Sequence, residues 1–261
     1  MNIKFAAATL ATSLFASGAA IAAPMYINVN AVDNTPIGGT DGRTADIYEW
    51  GVHFNANSTF TDTGNGVLDV GDGVVDTGYG TISYLGQDAN GLRGAENNEG
   101  SGVSHQLHFT YEMAGTVAIV DGNGGIAGHY TSGEILVYLD DMDGNDTHVA
   151  TFNVYDSNAE LINALIYAQV SWAQPDVFFF ADGSDWSAIQ LPSTISVRID
   201  TNLDRVTALS VAGTNPLQWT RNSHLDGSVQ FSANQIPEPG VLALLGFGLL
   251  GAGVVRRSRK V

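Results

Sequence analysis

Two clusters of hard oxygen donors are the residues of this chain whose types and spacing suit chemistry. The first is a threefold heptad, Asp62-Thr63-Gly64-Asn65-Gly66-Val67-Leu68, Asp69-Val70-Gly71-Asp72-Gly73-Val74-Val75 and Asp76-Thr77-Gly78-Tyr79-Gly80-Thr81-Ile82. Its pattern is D-x-G-x-G-h-h, with Thr81 once in the first apolar place. Asp62, Asn65, Asp69, Asp72 and Asp76 together offer the carboxylate and amide oxygens that Ca²⁺ takes, roughly six to eight at a time. The second cluster is the loop Asp140-Asp141-Met142-Asp143-Gly144-Asn145-Asp146. There Asp141, Asp143 and Asn145 are the donors, and like charges so crowded cost stability unless water, salt or a cation screens them.

Neither frame is an EF-hand. With Asn65-Gly66 at the loop's fifth and sixth positions, Thr61 and Thr63 stand where Asp is needed and Asp72 where a bidentate Glu closes the site; in the second loop Asp146 replaces the required Gly. The Gly-Gly-x-Gly-x-Asp frame of the calcium-binding β-roll is also unmatched. Two readings therefore stand at each place: a calcium site, or a solvated run of Asp-Gly turns in the first and an acidic hairpin tip in the second. His105 and His108 are three apart, so on a strand they face opposite sides and cannot share an ion without a bulge. Trp186, beside Asp185, suits a sugar face or the core.

No catalytic constellation stands out. The chain has no G-x-S-x-G, no H-E-x-x-H, no phosphate-cradling Gly loop and no cysteine. Between residues 23 and 236 the basic side chains are Arg43, Arg93, Arg198, Arg205 and Arg221, against 26 acids, which is a net charge of −21. Such a surface repels nucleic acid and anionic lipid and favours cations or neutral partners. Carboxylates are everywhere, so no glycosidase pair can be singled out.

The elements that must carry these residues read as β-structure. Gly, Asn, Asp, Ser and Thr punctuate short runs of Val, Ile, Phe and Tyr, as in antiparallel proteins. Strands are expected at 26–30, 47–54, 103–111, 116–120, 134–139, 148–155, 177–180, 194–199, 206–211 and 228–232. Each heptad reads as a short strand plus a tight turn, since an odd period would throw successive Asp residues onto opposite faces. Ser157-Asn158-Ala159-Glu160 is a capping-box pattern, and Leu161, Ile162, Leu165 and Ile166 follow at helical spacing, so a short helix over 158–169 competes with a strand. The expected fold is all-β, an antiparallel, jelly-roll-like β-sandwich over residues 23–235.

Both ends are sorting signals by composition. Lys4, the apolar run Phe5 to Ala19 and the Ala20-Ile21-Ala22 cleavage pattern make residues 1–22 a signal peptide. At the other end, Pro237-Glu238-Pro239 cannot join a helix or central strand. It precedes an uncharged run from Val241 to Val255, about 22 Å long as a helix against a hydrocarbon core of about 30 Å. Arg256, Arg257, Arg259 and Lys260 follow and would hold that end in the cytoplasm.

This order of parts resembles the PEP-CTERM sorting domain of bacterial exosortase substrates, over residues 236–261 only. The resemblance implies that Pro237-Glu238-Pro239 is recognised by a membrane-embedded exosortase, that 241–255 is a single transmembrane helix and 256–260 its basic stop, and that the tail is removed. It also implies a Gram-negative host making exopolysaccharide, with the chain at the inner membrane transiently and then at the cell surface or in the matrix. The leading expectation is a non-enzymatic structural or adhesive protein of exopolysaccharide, biofilm or floc. A calcium-assisted glycan-binding module and a secreted polysaccharide hydrolase are the alternatives.

Overall fold

Alternation of buried and exposed side chains, interrupted at a few bulges, runs through strands far longer than the punctuation suggests. The computed structural model describes residues 24–29, 44, 46–86, 105–121, 125–141, 144–161, 163–189, 195–214 and 216–233. The strands are β1 (Met25–Ile27), β2 (Glu49–Thr61), β3 (Gly73–Gly86), β4 (Gln106–Val120), β5 (Ile126–Asp140), β6 (Asp146–Ala159), β7 (Asn163–Ala173), β8 (Phe178–Phe180), β9 (Ile195–Val206), β10 (Ser210–Thr214) and β11 (Leu217–Ala233), with one 3-10 turn at Trp186–Ala188. The signal peptide, the sorting motif with its apolar and basic tail, and Asp143 lie outside the described residues. No described helix is long and apolar enough to cross a membrane.

The expected sandwich is replaced by a closed barrel. β2 through β7, then β9 and β11, form one antiparallel meander. β11 pairs with β2 along one side, from Gln218 opposite Thr61 to Gln230 opposite Glu49. Its other side pairs with β9, from Ser223 opposite Val206 to Ala233 opposite Ile195, and with the short β10. Eight strands thus close on themselves and leave no open edge in the wall. Register shifts at Gly51/Val52, Ala114/Gly115, Val137/Tyr138 and Thr151/Phe152 supply the local bends that coiling needs. One buried face looks the same in sequence whether it meets a second sheet or its own far side.

The two ends of the barrel differ. One is plugged: β1 pairs with β8, which lies in the chain linking β7 to β9, and Met25, Ile27, Phe178 and Phe180 are buried there. Trp50, Phe231 and Trp186 pack there at 4.5 Å and 5.1 Å between ring centroids, so Trp186 takes the core role rather than a surface one. Aromatic pairs of this kind add about 0.5–1.5 kcal/mol each beyond the area they bury. β11 also ends here, at Ala233.

Two local expectations are corrected. The 158–169 segment is not helical: β6 runs to Ala159, β7 starts at Asn163, and the Ser157 hydroxyl accepts a hydrogen bond from the Tyr130 N–H across the sheet instead of capping a helix. Leu165-Ile166-Tyr167-Ala168-Gln169-Val170 alternates with Ile166, Ala168 and Val170 buried, which is the period of two that wins. The third heptad is not a turn either. Gly64, Gly66 and Gly71 have φ of 128°, 84° and 102°, whereas Gly78 and Gly80 lie within β3. At Gly78 a Cβ would stand 2.2 Å from the Asn55 carbonyl oxygen and 2.7 Å from the Tyr111 ring, so glycine there makes room for an aromatic ring inside the barrel.

Gly78→Ala is therefore expected to lower unfolding free energy by about 1–3 kcal/mol in a urea titration. Tyr79→Ser, next along β3 and facing solvent, is expected to stay within about 0.5 kcal/mol of the parent.

Candidate functional site at the open end of the barrel

The register of β3 turns Val74, Asp76, Gly78, Gly80 and Ile82 inward. Asp76 is consequently a carboxylate inside an apolar barrel, 7% exposed, at the end opposite the plug. Its Oδ2 accepts hydrogen bonds from the Tyr130 hydroxyl at 2.7 Å and from Ser58, its cross-strand partner on β2, at 3.1 Å. Its Oδ1 accepts from the Tyr111 hydroxyl at 3.4 Å. Arg221 enters from β11: its guanidinium lies 5.2 Å from the centre of the Phe60 ring and donates to the Ile126 carbonyl at 2.9 Å.

Burial dominates the electrostatics. It pushes the Asp76 carboxyl above its ordinary value, while the Tyr130 and Ser58 hydroxyls and the Arg221 charge pull the other way. Burial, reinforced by the Asp76 charge, drives the Tyr111 and Tyr130 hydroxyls well up, so both stay protonated donors. Arg221 is lowered by the same burial, against the influence of Tyr130 and Asp76.

Beside this network is a cavity of about 70 Å³. That is room for several waters or a small organic group, since one water needs roughly 10–15 Å³ by the same measure. Its wall is mixed: Phe54, Met113, Ile126, Ile166 and Leu225 are apolar, while Thr201, Arg221 and Ser223 are polar, with Glu160 and Leu161 at the exposed rim. Deeper in the barrel an apolar void of about 30 Å³ lies among Trp50, Ile82, Phe109 and Phe152. Two polar atoms on the cavity wall are buried without a protein partner, Arg221 Nε and Ser223 Oγ.

The oxygen donors of the heptads are divided by the fold. Asp62, Asn65, Asp69 and Asp72 share the β2–β3 turn, and Asp76 leaves them for the interior. Asp62 accepts from the backbone N–H groups of Gly64, Asn65 and Gly66 at 2.9–3.1 Å, which hold its carboxyl below the ordinary value with Gly64 the largest influence. Asp72, fully buried, accepts from the Thr63 N–H and hydroxyl and from the Asp69 N–H, each at 2.9 Å. Asn65 donates to Asp69 at 2.5 Å. In the second loop Asp141 accepts from the backbone and side-chain nitrogens of Asn145. These oxygens serve as turn caps, and among the described residues no three His, Asp or Glu side chains are grouped to hold a metal ion. His105 is buried; His108 lies outside, stacked on Tyr138 and 3.5 Å from Asp146.

Tyr111, Tyr130, Ser58, Ser223 and Arg221 escape sequence reading. The one signal was that Arg221 is among only five basic residues between 23 and 236 and falls in an alternating stretch.

β11 ends at Ala233, and the family model described as the PEP-CTERM protein-sorting motif matches residues 235–260. The chain carries a PEP-CTERM sorting motif. The motif implies export, processing by an exosortase and sorting to the cell envelope or surface. Comparison with curated proteins and with solved structures finds no match. The motif thus follows directly on the last strand of the barrel wall.

Two outcomes are expected. A carboxyl raised in the folded state stabilises fully below its unfolded value, about 4, and that contribution is lost as pH rises through the folded value. Asp76→Asn should remove this fall and flatten melting temperature against pH across that window; an identical fall in the variant would place the proton elsewhere. Asp72→Ala strips the acceptor from three donors and should cost about 1–3 kcal/mol in urea. A chelator should not reproduce that loss in the parent; if it does, a bound cation and not the backbone is the partner of that carboxylate.

Proposed function

We propose that this is an exosortase-sorted surface or matrix protein whose barrel is a non-catalytic binding module, holding the end of a neutral, hydroxylated ligand such as a sugar unit of exopolysaccharide. One observation carries the reading: a closed eight-stranded wall, plugged at one end, keeps a cavity at the other in which polar atoms remain buried and unpartnered. Unmet polar groups in an apolar interior cost about 1–3 kcal/mol each, a cost that water or a ligand relieves. Small barrels of this kind either fill their interior or leave room for one small ligand. The net charge of −21 over residues 23–236 favours a neutral glycan over an anionic one.

Retention at the envelope or in the matrix follows from the two parts together, the signal delivering the barrel and the cavity holding it to polymer. Fractionation of cells with and without the exosortase is expected to move the protein from the surface or matrix to the membrane, still bearing Arg256 to Lys260 by intact mass. A protein that reaches the surface equally well without the exosortase contradicts the sorting half of the proposal. Pull-down on the host's purified exopolysaccharide is expected to retain the barrel and to be competed by its own oligosaccharides; no retention contradicts the binding half.

A further inference from the structure

We infer that the outer wall of the barrel carries a second site, a groove across the strands that takes a stretch of neutral saccharide chain. It extends the saccharide reading above to another place and can fail without it. The groove has a volume of about 560 Å³, within the roughly 300–1,000 Å³ of small-molecule sites. Register places its residues. Asn163 on β7 pairs with Asn202 on β9, Asn202 with Asp226 on β11, and Asp226 with His53 on β2. Their chain neighbours Ala164, Thr201, Leu225 and Phe54 all line the inner cavity, so these four side chains face outward. At about 4.8 Å per strand they make a row of roughly 14 Å.

Glu49 bounds the other side of the groove, held by the Tyr84 hydroxyl and by the Gln230 amide, which donates to it at 3.1 Å. Between the two sides lie Ser228 and Gly51, a cross-strand pair too small to fill the space. The Tyr84 ring lies over Gly51, where a Cβ would stand 1.7 Å from it. The floor is therefore two small residues with an aromatic ring at one end.

The chemistry on offer is mostly acceptance. Asn163 Oδ1 is buried on the wall without a partner. The Asp226 carboxylate is oriented by His53, and that of Asp200 by Arg198 at 3.2 Å; a carboxylate so held still has lone pairs to offer. An occupant must bring several donors. An anion brings none and meets a net charge of −21 over residues 23–236. A metal ion lacks its ligand set, since among the described residues no three His, Asp or Glu side chains are grouped to hold one. Sugar hydroxyls donate to these oxygens and also accept from the amide N–H groups of Asn163 and Asn202. The apolar C–H face of a pyranose suits the ring of Tyr84.

Isothermal titration of the exported protein with neutral oligosaccharides released from the host's purified exopolysaccharide tests this. Two binding components are expected. Ser228→Phe, which fills the floor from outside the barrel, should weaken one of them at least tenfold at unchanged melting temperature, and Asn202→Ala should weaken the same one by roughly 3- to 10-fold, the worth of a neutral hydrogen bond. Ser223→Ala, inside the cavity, should weaken only the other. Should Ser228→Phe fail to fold, Asn202→Ala carries the comparison. Binding that responds to Ser223→Ala and to neither outer-wall change overturns the groove and leaves the cavity reading intact; the reverse pattern keeps the groove and overturns the cavity. Displacement of the groove component by spermidine at equal concentration shows an amine site and overturns the saccharide assignment. No binding by the parent overturns both sites.

Discussion

Closure of the wall by β11 is the constraint on which everything else depends. This one strand satisfies β2 on one side and β9 on the other. A single sheet then has an inside, every wall strand has two neighbours, and the core becomes a column instead of a layer between two sheets. The chain has no cysteine, so an exported domain of this size has no disulfide to limit its unfolded state. Hydrogen-bonded closure and a continuous apolar column take that role.

Closure also sets the value of what lies inside. At the plugged end the column is aromatic, with Trp50, Phe152, Phe178, Trp186 and Phe231 in mutual contact. At the other end the same inward positions carry Asp76, Tyr111, Tyr130, Arg221 and Ser223. Filling them with Leu and Phe would satisfy packing alone, and replacing buried ionic groups by well-packed apolar ones is often neutral or stabilising. A carboxylate and a guanidinium kept in the interior, with room left beside them, mark the end of the column that packing does not explain.

The sequence made much of the local structure legible and little of the global arrangement. Alternation in Leu107-His108-Phe109-Thr110-Tyr111 and in the stretches around Val137, Phe152 and Val197 identified strands, because a period of two is a local property. Barrel closure was not legible: it depends on pairing Gln218 with Thr61 and Gln230 with Glu49, contacts so distant along the chain that no local pattern encodes them. Two mistaken expectations share a cause. The Ser157–Glu160 capping box and the Asp76 heptad both have turn chemistry, and in both the neighbouring strand offered a better partner, the Tyr130 N–H to Ser157 and the Ser58, Tyr111 and Tyr130 hydroxyls to Asp76. The candidate site was invisible for a related reason, since its residues come from seven strands. The PEP-CTERM motif was legible because its recognition is linear.

The direction of the last strand has a consequence for how the molecule would stand on a cell. β11 runs from the mouth to the base of the barrel, and the sorting motif begins two residues beyond it. Whatever the processed end is moored to, it is moored by the base. With a rise of about 3.3 Å per residue and a tilt of about 40°, seventeen residues lift the mouth roughly 40 Å off that attachment point. The open end of the barrel is therefore the end farther from the sorting motif.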